Sequence, residues 1–241
     1  MSALKIRIKF AKTGVMKFIG HLDIMRYFQK AMKRAEIDIA YSGGYSPHQI
    51  MSFAAPLGVG ITSQGEYLDI EVNQVCSSAA AIAALNSVMV EGVEVLSYKK
   101  LPDNGKNAMS LVSAADYFIY PKQSTPVFPS EDTVRDQLKA FFNDRDEILI
   151  TKKTKKNEVL LNLKDCVYQL KPFCMNDHQG IFMQLATGST ENIKPGLVMA
   201  AFFEFLKKDY VETDFQEHRL EVYANLDGTF YSLDSLGENI E

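Results

Sequence analysis

A helix period bounded by strand periods sets the first constraint on this chain. Between Gly20 and Ala35, the apolar residues Leu22, Met25, Phe28, Met32 and Ala35 recur at three- and four-residue steps, which places them on one stripe of an amphipathic helix. Arg26, Lys30, Lys33 and Arg34 fall on the other side. Ahead of the helix, residues 3–11 (ALKIRIKFA) alternate apolar and basic, the pattern of a half-exposed strand. Behind it, Gln49 to Val59 is apolar but broken by Pro56, which predicts an irregular or edge strand. Glu66 to Val72 (EYLDIEV) alternates cleanly, Ala79 to Val90 has a small-residue helix with Ile82, Leu85 and Met89 as its seam, and Val93 to Leu101 is a further strand. The order β-α-β-β-α-β is that of a ferredoxin-like fold.

Leu101 to Ser110 (LPDNGKNAMS) has the dense turn chemistry of a linker, and beyond it the pattern runs again. Ala115 to Tyr120 is strand-like, and Ser130-Glu131-Asp132 starts a helix to about Phe142. Glu147 to Lys153 and Glu158 to Leu163 form a hairpin around the basic turn Lys152 to Lys156. Val167 to Pro172 and Gly180 to Thr187 are strands, Pro195 opens a helix at its favoured first position, and Arg219 to Ala224 is the last strand. The expected class is therefore α+β: two tandem ferredoxin-like (βαββαβ) domains, residues 1–104 and 110–241, the second elaborated with extra strands.

The chain carries a net charge of −4, unevenly spread. Residues 1–50 hold nine Lys/Arg against three acids, a net of +6. A basic face on an acidic protein fits a localised anionic partner or, equally, a solvated helix face. No apolar run approaches the roughly 20 residues of a membrane-spanning helix, and MSALKIRIKF lacks a signal-peptide core. A cytoplasmic protein without membrane attachment is expected. Three sparse cysteines (Cys76, Cys166, Cys174) make a poor disulfide framework. The spacing of Cys166, Cys174 and His178 is not that of a zinc knuckle, so these are expected to be buried structural thiols and no metal is expected.

Several chemistries have no motif here. There is no phosphate loop, no glycine fingerprint for dinucleotides, no nucleophile elbow and no cysteine triplet for an iron–sulfur cluster. No cofactor is expected. Among four histidines, His21 and His48 lie beside hydroxyl and basic groups, and either could act as a general acid or base in metal-independent RNA cleavage. They work together only if residues 36–48 double back along a helix about 24 Å long. Taken singly, each also fits a hydrogen-bonding or turn role.

Binding chemistry is better represented. The start of the helix offers free backbone N–H groups to an anion, with Lys12 and Lys17 nearby in sequence. Asp23, at the third helical position, fits a cap bonding back to Gly20. Gly43 and Gly44 bare the backbone of the loop Tyr41-Ser42-Gly43-Gly44-Tyr45-Ser46-Pro47-His48, where Tyr41 and Tyr45 could stack on bases. Basic residues, aromatics and bare backbone suit single-stranded or loop RNA. A tight turn with core tyrosines is the other fit.

In FIGHLDIMR (18–26), YSGGYSPHQ (41–49), SFAAPLGVG (52–60) and the following Ser63 and Glu66, the chain resembles a bacterial family known as radical SAM-associated or radical SAM-linked proteins. TKK (151–153), IKPG (193–196) and HRLEVY (218–223) extend the resemblance over most of the length. Where the family pattern usually has Ser, this chain has Gly20. The resemblance implies a radical SAM enzyme as partner, and His21, Asp23, Arg26, the Tyr41–His48 loop and Glu66 as positions a shared function would use. The fold-level likeness to CRISPR repeat-processing endoribonucleases is analogy alone. The expectation is a non-catalytic, RNA-binding or substrate-presenting accessory to a radical SAM enzyme that modifies tRNA or rRNA. It would use Lys12, Lys17, His21, Asp23, Arg26, Lys30, Tyr41 to Ser46, His48 and Glu66. The alternatives are a metal-independent endoribonuclease with His21 or His48, and a purely protein-binding adaptor.

Overall fold

The computed structural model describes residues 3–122, 129–153, 157–189 and 191–241. It is a mixed α+β architecture whose internal contacts divide it into two compact units. The residues up to Ser113 together with Arg219–Glu241 form the first, and Ala114–His218 form the second. The chain begins with β1 (Leu4–Lys12), a 3-10 turn (Gly14–Phe18), α1 (His21–Arg34), β2 (Met51–Phe53), β3 (Thr62–Val72), α2 (Ser78–Val88), β4 (Val93–Lys100) and the one-turn α3 (Ala108–Leu111). It continues through β5 (Val112–Pro121), α4 (Glu131–Leu138), β6 (Leu149–Lys153), β7 (Glu158–Asn162), the short α5 (Leu163–Cys166), β8 (Val167–Met175), β9 (His178–Ala186) and α6 (Pro195–Phe205). It closes with β10 (Phe215–Leu226), β11 (Thr229–Ser232) and β12 (Glu238–Asn239).

In the first unit β1 lies between β3 and β4, antiparallel to both, and β2 pairs antiparallel with β3. Strand alternation sorts β1 into two faces. Ile6, Ile8 and Phe10 pack with Leu68, Ile70 and Val72 of β3 under α1 and α2. Phe28 of α1 stands over this layer with its ring 4.7 Å from Phe10 and 5.9 Å from Phe53. Fully burying such a side chain contributes about 1.5–3 kcal/mol. The buried stripe of α1 is Ile24, Phe28, Ala31 and Met32. It is rotated from the expected one, so that Leu22 stands exposed and Met25 and Ala35 sit at the edges. Both stripes satisfy a 3.6-residue period, and Ile24, at i−4 from Phe28, decides between them.

The other face of β1 differs from the half-exposed strand expected of it. Arg7 is buried and its guanidinium grips Asp69 at 2.8 and 2.9 Å, while it also donates to the Leu233 carbonyl. Lys9 pairs with Glu221 at 2.7 Å, and the Tyr67 hydroxyl donates to the same carboxylate. The cover is the C-terminal segment: β10 lies beside β3, β11 pairs with β10, and β12 pairs with β4. Gly65 permits the β3–β10 approach, since a Cβ there would stand 2.6 Å from the Leu220 carbonyl oxygen. The expected linker is also packed into this unit. Leu101 and Ala108 are buried, and the Ala108 N–H donates to Asp69. Contacts divide the chain after Ser113 and again after His218.

In the second unit β9 pairs antiparallel with β5 and β8, and β6 with β7 forms a separate hairpin. Residues 154–156 of the expected basic turn lie outside the described residues. α4 continues into a wider turn at Lys139–Asn143, and Pro195 does open α6. The cysteines are not uniformly buried: Cys166 is, its thiol pushed up to about 12 chiefly by burial, whereas Cys76 and Cys174 are exposed. Among the described residues no three His, Cys, Asp or Glu side chains are grouped to hold a metal ion, and no helix is long and apolar enough to cross a membrane.

Candidate functional site

The residues singled out in the sequence separate along α1 into two places. At its start, Lys12 ends β1 on the side of Phe10, after a register shift between the two. Glu66 lies opposite Phe10 in the β1–β3 register, on the same side as Leu68 and Ile70. Both are charged residues at positions whose alternation points into the apolar layer. Lys12 is 2% exposed and Glu66 5%. Glu66 is held by Arg219 of β10, which is 3% exposed, through hydrogen bonds of 2.8 and 2.6 Å, and Arg219 also donates to the Ala55 carbonyl. This paired fork neutralises the buried carboxylate. Arg219 was not among the expected site residues. Its signal was a lone arginine in the HRLEVY strand, which nothing in the sequence ties to Glu66.

Lys12 reaches past this pair and donates to the Ile19 carbonyl at 2.7 Å. Burial lowers its pKa, Glu66 opposes that shift, and Arg219 adds to it. Beside it the His21 ring meets Phe53 edge-on at 5.2 Å. Lys12, His21 and Glu66 share a notch of about 10 Å³ with Phe10, Ile24 and Phe53, room for roughly one water-sized atom. Gly20 leaves the first turn of α1 without a side-chain cap. Asp23 does not supply the expected cap either, because its carboxylate accepts from Arg26, one turn on and on the surface. Lys17 receives the Gly60 N–H on its carbonyl, which draws the 58–60 turn alongside.

The second place is further along α1. Residues 42–48 close on themselves: the Ser42 N–H donates to the His48 carbonyl, and the Ser42 hydroxyl accepts the His48 N–H while meeting its Nδ1 at 2.9 Å. Gly44 sits at φ +95°, in the left-handed region that glycine alone enters freely. Nothing lies within 4 Å of where a Cβ of Gly43 would stand. Gln49 is buried at the loop's base and donates both to the Gln29 carbonyl and to the Tyr41 hydroxyl. The loop is thereby fixed against the middle of α1, and Arg26 and Lys33, three residues before and four after Gln29, are its helix-surface neighbours. These two, Lys30 and Arg34 are exposed. Tyr41 is 47% exposed and Tyr45 wholly so, so neither is a core tyrosine. Ser46 is exposed with them.

His21 and His48 therefore do not form a pair. The loop's anchor at Gln29 is eight residues, or about 12 Å of helix rise, beyond His21. Lys12, His21 and Glu66 are brought together, with Arg219 added. Tyr41 to His48 assemble separately beside the cationic stripe.

The chain belongs to the family described as "Uncharacterized protein conserved in bacteria (DUF2344)", whose model matches residues 5–195. A comparison with curated proteins gives no match. Among solved structures, a chain of the crystal structure of a Cbf5-Nop10-Gar1 complex is similar at 10% identity and a TM-score of 0.45, over 90% of this chain and 48% of that one. The crystal structure of an unknown protein from Galdieria sulphuraria is similar at 11% identity and a TM-score of 0.25, over 90% of this chain and 98% of that one.

Proposed function

We propose that the protein binds RNA with the loop at residues 41–48 and the cationic stripe of α1, as a non-catalytic partner that presents tRNA or rRNA to a radical SAM enzyme. The observation that carries this is Tyr45, a wholly exposed aromatic on a bare-backbone loop fixed beside exposed cations. An exposed ring offers a stacking face to any base, glycines let a nucleotide backbone approach, and the cations meet phosphates. Between Asp23 and Glu36 the helix carries four cations and no acid. The enzyme partner rests on the resemblance in FIGHLDIMR and YSGGYSPHQ.

The ferredoxin-like reading of the fold is part of the proposal. In the first unit it is supported by the β-α-β-β-α-β order with β1 between β3 and β4 and β2 beside β3. In the second it is supported by the antiparallel trio β5-β9-β8 and the helices α4 and α6. An endoribonuclease using both histidines has less support, because Ser42 engages His48 Nδ1 and the loop is anchored away from His21.

The test is binding of labelled single-stranded RNA and tRNA fragments, with intact RNA scored on gels in the presence of chelator. Tyr45→Ala is expected to weaken binding by about 1–3 kcal/mol per lost stacked base, with the unfolding midpoint unchanged. Unaltered affinity in Tyr45→Ala rejects the stacking site, and cleaved RNA transfers the function to His21 or His48.

A further inference from the structure

The first turn of α1 lies outside the cationic stripe and carries a different chemistry. Lys12, almost wholly buried, has one hydrogen bond among the described residues, to the Ile19 carbonyl, and no ion pair among them. Both oxygens of the nearest buried carboxylate, Glu66, are engaged by Arg219. The cluster of Lys12, Glu66 and Arg219 thus holds one positive charge in excess when Lys12 is protonated. Two N–H bonds of that ammonium have no acceptor among the described residues. A buried cation without a counter-ion is costly, and its cost falls when an anion enters. The uncapped N–H groups at the start of α1 face the same way in charge.

The surroundings limit which anion fits. The notch admits roughly one atom, so one oxygen enters it and the rest of the group sits at its mouth. One excess positive charge matches a monoanion better than the dianionic phosphate with its three oxygens to satisfy. The lining is otherwise apolar, with Phe10, Ile24 and Phe53 inside. On the segments that flank it, Phe18, Leu22 and Val59 are exposed at 62%, 62% and 64%. Their side chains, two of them aliphatic, suit a hydrocarbon body.

We infer that the notch at the start of α1 binds a small monocarboxylate with an apolar tail. The carboxylate oxygen meets the Lys12 ammonium beside the His21 ring, and the tail lies over Phe18, Leu22 and Val59. This site is independent of the RNA surface, and its failure would leave that surface untouched.

The experiment is titration of the full chain, by calorimetry or NMR, with acetate, butyrate, hexanoate and phenylacetate, and with hexanamide and inorganic phosphate as controls. Saturable one-to-one binding of the acids is expected, tightening about fourfold per added methylene while the tail still meets the patch. Hexanamide and phosphate are expected to bind much more weakly. Lys12→Met should lose tenfold or more in hexanoate affinity. Leu22→Glu, a change at an exposed position that leaves the fold intact, should do the same by placing a negative charge at the mouth. The inference is overturned by wild-type protein that binds none of the acids at millimolar concentration, by phosphate binding more tightly than the acids, or by Leu22→Glu binding hexanoate as wild type does.

Discussion

Glu66 and Arg219 define the residue scale, because each is buried only on account of the other. Arg219→Met takes from the Glu66 carboxylate, 5% exposed, the guanidinium that holds both its oxygens, and removing one member of such a pair costs about 3–5 kcal/mol. The double change Glu66→Met with Arg219→Met should recover most of that, which urea unfolding of the three variants would measure. A double variant as unstable as the worse single one would contradict this. A second pair of neighbours opposes itself across pH. Burial and then Glu212 raise Glu217 from 4.5 to about 7, against Lys194 and the Gly196 N–H, while burial lowers His218 from 6.5 to about 4. For a carboxyl raised in the folded state, the unfolded chain loses its proton first, so stability falls as pH rises from 4.5 through 7. For a histidine lowered in the folded state, stability falls as pH drops from 6.5 through 4. Glu217→Gln should therefore gain over wild type by up to about 3 kcal/mol as pH passes from 4.5 to 7, leaving only the histidine's acid-side loss. Urea midpoints with the same separation at both pH values would contradict this. Of these residues, Lys12 was singled out in the sequence only for its nearness to the start of the helix and Glu66 only through the family resemblance, and neither was read as buried. Arg219 was not singled out, because its partner lies 153 residues away.

The element scale shows what periodicity does and does not carry. The existence of α1, β3 and the helix opened by Pro195 follows from period, turn chemistry and proline placement. The rotation of α1 does not, since two stripes fit the same residues and only the packing of Ile24 and Phe28 over Phe10 selects one. The burial of β1's basic face was equally hidden: Arg7, Lys9 and Tyr67 read as solvent-facing until β10 and the following segment cover them. Those C-terminal elements are joined to the first unit by side chains as well as strands. The Lys99 amine pairs with Asp234 at 2.6 Å, and Ser78 exchanges hydrogen bonds with Ile240 through its backbone N–H and its hydroxyl. Ending the chain after His218 should strip β1 and β3 of much of their hydrogen-exchange protection, because Arg7 and Glu66 lose partners and β3 loses a neighbour. Unchanged protection in β1 would show that these elements are dispensable.

For the molecule as a whole, the uneven charge shrinks and sharpens on folding. Of the nine cations in the first fifty residues, Arg7, Lys9 and Lys12 are drawn into internal contacts. Arg26, Lys30, Lys33 and Arg34 remain together on α1, beside Tyr41 and Tyr45, in a protein of net charge −4. An anionic partner is then held by a few phosphate contacts and repelled elsewhere, which makes binding local and salt-dependent. The most direct measurement is the salt dependence of RNA affinity for wild type and for Arg26→Glu with Lys30→Glu and Lys33→Glu. Wild type should show a log–log slope of about −3, at roughly −0.7 per phosphate contact on a single strand, and the reversed variant should keep little affinity and little slope. RNA affinity that is absent in wild type, or equal in both proteins with the same slope, would contradict the RNA-binding account of this face.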